Sequence, residues 1–75
     1  MCLTYITFGQ AHSHEVNGRV FDKDCVAVIK CNTPGEGRDI AFDTFGGKWA
    51  FQYQDIDMAR FPRGMIAVNF PQEEL

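Results

Sequence analysis

The run Cys25-Val26-Ala27-Val28-Ile29-Lys30-Cys31 constrains this chain more than any other segment. Its residues are apolar but for Lys30, and they lack the polar alternation of a strand with one wet face. Such a run belongs in the middle of a sheet with both faces covered. The chain has only 75 residues in which to build that cover. A domain of this size buries only about 60% of the surface its unfolded chain exposes. Large rings offset this, since each buries roughly 150–250 Å². Seven Phe, two Tyr and one Trp can fill a small core without metal or disulfide. The same size argument allows for a homo-oligomer.

The flanking segments supply the rest of one domain, residues 1–75. Leu3-Thr4-Tyr5-Ile6-Thr7-Phe8 is β-branched and aromatic, and reads as a strand. Asn17-Gly18 predicts a tight hairpin joining short strands at 14–16 and 19–21, because both residues tolerate positive φ. Asp22-Lys23-Asp24 is a second turn. Asn32 to Gly37 reads as a loop by composition. Residues 38–45 admit a short helix, with Ala41 and Phe45 at i,i+4 and Gly46 as terminator, or a hairpin turning at Gly46-Gly47. The spacing favours the helix.

Lys48 to Tyr53 alternates, with Trp49, Phe51 and Tyr53 on one side. These rings are expected on the inner face of a strand. Asp55 to Phe61 predicts one or two helical turns, capped by Asp55 or Asp57 and followed by Pro62. Met65 to Phe70 predicts a last strand, and 72–75 a solvated, flexible tail. The expected class is α+β: a small antiparallel or mixed sheet of four to five strands with one short helix packed on one face.

Charge weighs against some functions. The net charge is −3, and the seven basic residues do not cluster. Nucleic-acid binding is therefore disfavoured, and so is a base-stacking role for the aromatic strand. Mild acidity suits solubility and docking to a basic partner surface. No stretch has the ~18 apolar residues of a membrane span. Met1-Cys2-Leu3-Thr4-Tyr5 does not begin like a signal peptide. Three cysteines without CxxC spacing suggest free thiols and a cytoplasmic protein.

Both histidines lie in the polar segment 9–18, between two apolar runs. His12 and His14 share a side of an extended backbone, so they could hold a metal with Cys25, Cys31 or Glu15 as third ligand. The simpler reading is a pair of surface histidines, because no second clustered pair accompanies them. Imidazole also suits general acid–base work. Nothing resembles a nucleophile motif or triad, however, and so small a chain leaves little room for a pocket. Cys25 and Cys31, six apart on one strand face, read as small core residues. Gly35-Glu36-Gly37 is too weak a motif for phosphate, since Glu36 repels anions. Asp39, Asp43, Asp55 and Asp57 fit helix starts or a solvated acidic face. No cofactor is expected.

The run Phe8-Gly9-Gln10, His12, His14, Asn17-Gly18 and Phe21 to Ile29 resembles small phage- and prophage-type accessory proteins. So do Asp39-Ile40-Ala41-Phe42 with Phe45-Gly46, and Phe61-Pro62-Arg63-Gly64 before an apolar strand. That group has no defined activity, so the resemblance transfers no site residue. It implies an accessory protein of a mobile element, acting by binding and blocking a host component. The expected function is accordingly a small protein-interaction module that presents a rigid surface to another protein. Gln10, His12, His14, Glu15, Asn17 and Arg19 are its candidate partner-binding residues, with hydrogen bonds from the polar groups and a bidentate contact from Arg19. The alternative is a metal-binding or histidine-dependent enzyme module using His12 and His14.

Overall fold

A computed structural model of the chain describes residues 2–10 and 13–74. Its strands are β1 (Cys2–Thr7), β2 (His14–Val16), β3 (Arg19–Phe21), β4 (Cys25–Cys31), β5 (Phe51–Tyr53) and β6 (Gly64–Ala67). One α-helix, α1 (Pro34–Phe45), lies between β4 and β5. The main sheet has the order β5-β1-β4-β6, and β2 pairs with β3 in a separate hairpin. β1 runs antiparallel to β4 and β5, whereas β4 and β6 are parallel. The fold is thus α+β, with one helix on a mixed sheet. Helix α1 carries the chain from β4 over β1 to β5, a split βαβ unit. Residues 54–63 then return from β5, at one edge, to β6 at the other.

β4 holds the interior place its composition demands, and Val26 to Ile29 are fully buried. Its odd-numbered residues face α1 with Ile6, Phe8, Ala41 and Phe45. The rings of Phe8, Phe21 and Phe45 meet pairwise at 4.9, 5.1 and 5.0 Å. They come from the end of β1, from β3 and from α1, so one cluster locks hairpin, sheet and helix together. Each such contact adds about 0.5–1.5 kcal/mol beyond area burial.

Asn17 and Gly18 both take positive φ, 52° and 78°, as the predicted turn requires. The loop expected at 32–37 is instead the helix start. Thr33 is the N-cap, and its Oγ1 accepts from the Glu36 N–H at 3.1 Å. The Glu36 carboxylate accepts in return from the Asn32 N–H and side-chain amide. Pro34 fits the first helical turn, where its missing N–H is not needed. Gly37 lies where α1 presses on the sheet. A Cβ there would meet Thr4 Cγ2 at 2.7 Å and Cys31 Sγ at 3.1 Å.

The expected aromatic inner face at 48–53 is corrected. Trp49, just before β5, is half-buried and packs against the core as expected, whereas Phe51 and Tyr53 are exposed and Gln52 turns inward. Its amide donates to Thr4 Oγ1 at 2.9 Å and to the Pro34 carbonyl at 2.8 Å. The alternation is real, but a polar side chain takes the inner side because the buried Thr4 hydroxyl and the Pro34 carbonyl accept its hydrogen bonds. The turn at 55–61 is a 3-10 turn, Met58–Arg60, capped by Asp57. The last strand stops at Ala67. Beyond it, the Asn69 amide pairs with both Lys30 backbone groups, at 2.9 and 2.8 Å. Residues 72–74, expected as a solvated tail, are exposed but form a 3-10 turn. There Glu74 reaches Lys30 at 2.8 Å.

Candidate functional site

The described residues of the polar segment singled out in the sequence border two different depressions. Gln10 is exposed and borders a cleft beside β5. His12 lies outside the described residues. His14 is half-buried on β2, opposite Phe21. Glu15 and Asn17 are exposed on the hairpin. Asn17 and Arg19 border a different depression, against Phe45, Ala67 and Phe70. The Arg19 guanidinium is turned onto the sheet, where it donates to the Ala67 carbonyl and to Gln72 Oε1, each at 3.5 Å. It braces the hairpin against β6. Among the described residues no group of three His, Cys, Asp or Glu side chains could hold a metal ion.

The exposed rings instead gather around β5. Phe51 is 61% exposed, Phe42 48% and Tyr53 43%. Register places Phe51 opposite Thr7 and Tyr53 opposite Tyr5, on the face away from α1. The Phe51 and Tyr53 rings lie 6.3 Å apart. Beside them opens a cleft of about 250 Å³, closed on its far side by Ile56, Arg60 and Phe61 of the 54–63 connection. On the helix side of the same strand lies an open groove of about 440 Å³, lined by Arg38, Phe42, Trp49 and Gln52. Phe51 borders both depressions. The strand therefore runs between two hollows, a mainly apolar cleft on one face and a mixed groove of rings, Arg38 and Gln52 on the other.

The groove has a definite polarity. The Trp49 ring meets Phe42 edge-on at 5.1 Å. The Arg38 guanidinium lies over both rings, 5.3 Å from Phe42 and 5.7 Å from Trp49. A cation over such faces gains ~0.5–1 kcal/mol at exposed sites. Among the described residues Arg38 has no carboxylate partner. Trp49 Nε1 is enclosed without a hydrogen-bond acceptor among the described residues. Phe42 and Arg38 are i,i+4 on α1, so helical spacing placed them together. The sequence signal for this site was the charge–ring pair on the helix, which the acidic neighbours Asp39 and Asp43 obscured.

The two sheet edges differ in how their backbone is met. On β6 the Gln72 side chain accepts from the Ala67 N–H at 2.8 Å and donates to the Met65 carbonyl at 3.0 Å. Among the described residues, the side chain reaching a β5 backbone group is Thr4 of the neighbouring β1, at the Tyr53 carbonyl.

The register also creates a thiol pair that linear spacing hides. Cys2 and Cys31 are direct partners across β1 and β4, with Sγ atoms 3.2 Å apart. Burial and the Cys2 contact push the Cys31 thiol up to about 11. Burial also raises Cys25, against the lowering effect of the Asp22 backbone.

Compared with known protein families, curated proteins and solved structures, the chain matches none. Among the described residues, no helix is long and apolar enough to cross a membrane.

Proposed function

We propose that this chain is a protein-interaction module that takes an extended segment of a partner protein as an added strand along β5. One observation carries the reading: among the described residues β5 lacks the side-chain cap that closes β6, and it lies between an apolar cleft and a mixed groove that holds Arg38. Strand addition uses main-chain hydrogen bonds for affinity and alternate side chains for specificity. A segment laid on β5 would send one set of side chains toward Phe51 and Tyr53. The other set would enter the groove of Phe42 and Trp49. The partner is therefore an alternating apolar segment, with a carboxylate placed to meet Arg38. The resemblance to phage-type accessory proteins agrees with a protein that works by occupying a partner. The hairpin histidines are not required by this reading.

The test is a selection of randomised decapeptides displayed against the wild-type protein. Bound peptides should alternate apolar residues and carry an acidic position. They should slow amide exchange at residues 51–53. Phe51→Glu should weaken them more than tenfold and Arg38→Glu should weaken acidic ones selectively, with His12→Ala/His14→Ala binding unchanged. Peptides that bind Phe51→Glu as well as wild type would sink the proposal. So would light scattering that shows β5 already consumed in a dimer sensitive to that substitution.

A further inference from the structure

The partners Cys2 and Cys31 face each other at one end of the β1/β4 ladder. Directly opposed residues in an antiparallel pair have Cα atoms about 4.5 or 5.5 Å apart, inside the roughly 4.4–6.8 Å span that a disulfide bridges. Their sulfurs are already 3.2 Å apart, about 1.2 Å beyond a bonded pair. Opposed side chains also project from the same face, so no backbone rearrangement is needed. The helix packs close to Cys31 Sγ at Gly37, where even a Cβ would come within 3.1 Å of it. Cys2 is half-exposed, and Cys31 is buried. Cys25 sits at the far end of β4, where its sulfur meets the Asp22 backbone instead.

We infer that Cys2 and Cys31 form a reversible dithiol–disulfide site, which low-molecular-weight disulfides oxidise through the accessible Cys2. The Cys2 thiolate attacks one sulfur of the small disulfide. That S–S bond breaks, and one small thiolate leaves and takes up a proton. Cys31 then gives up its proton to solvent, and its sulfur attacks Cys2 Sγ in the mixed disulfide. The second small thiolate leaves and is protonated. Two protein thiols are oxidised to one disulfide, and one small disulfide is reduced to two thiols. The elevated Cys31 thiol explains the order, because the thiolate is the nucleophile and Cys31 rarely supplies it unprompted. The bond would staple the first strand to the central one across twenty-eight intervening residues.

Oxidised glutathione is the probe. After incubation of the folded wild-type protein, its mass should fall by two hydrogen atoms, and peptide mapping should join Cys2 to Cys31. The melting temperature should rise by on the order of 10 °C and return on reduction. Cys2→Ser should abolish the mass loss, while Cys25→Ser should keep it. The wild-type mass and map do not depend on any variant folding. Three outcomes overturn the inference: thiols that stay free, a glutathione adduct that persists on Cys2, or a bridge that includes Cys25.

Discussion

At β6, the Met65 carbonyl and the Ala67 N–H and carbonyl, which would recruit another strand, are met by Gln72 and Arg19. At β5, three residues long and at the opposite edge, the described residues supply no such cover, and large rings stand exposed on both sides. An open edge is an association hazard that proteins suppress with bulges, charges or covering side chains. This chain spends an amide and a guanidinium on suppressing it at one edge. The strand-addition proposal rests on this contrast.

The contrast can be broken most forcefully at the hairpin. Phe21→Ala empties the ring cluster that anchors β3, and with it the Arg19 brace on β6. It should cost about 3–5 kcal/mol, read by urea unfolding. Gly37→Ala acts on the β5 side, because the helix that walls the groove rests on Thr4 and Cys31 at that point. Forcing it outward should cost about 1–3 kcal/mol and weaken selected peptides in parallel. Gln72→Ala would strip β6 of its amide cap and leave only Arg19 there. A loss of about 1–2 kcal/mol is expected, with concentration-dependent association measured by light scattering. Retained monomer at high concentration would show that Arg19 alone suffices. Phe51→Glu should change stability by less than about 0.5 kcal/mol while removing binding, since its ring lies mostly in solvent. A large stability loss there would assign the ring to the core after all.

Much of the frame was readable because it rests on local chemistry. The Cys25–Cys31 run has no polar face to give to water, and Asn17-Gly18 is a turn in nearly any setting. The helix start was also written in the chain, as Thr33, Pro34 and Glu36. There the glycines on either side of Glu36 masked a cap whose parts are spaced correctly. The site was harder for a different reason. Alternation at Phe51-Gln52-Tyr53 defines two faces but not which one is buried. That choice depends on Thr4 and on the Pro34 carbonyl, both far away in sequence. The thiol pair likewise exists only through register, since twenty-eight residues separate its members.

The parallel pairing of β4 with β6 has a consequence for how the molecule is made. β1 and β4 can zip together early, but the other flank of β4 has no mate until residues 64–74 arrive. During synthesis the richest apolar segment of the chain is therefore exposed along one side until Gly64–Ala67 has been translated. Pairings of such long sequence separation are also slow to form. Nascent chains halted before Gly64 should be the form most dependent on chaperones, and the form most prone to stick to one another.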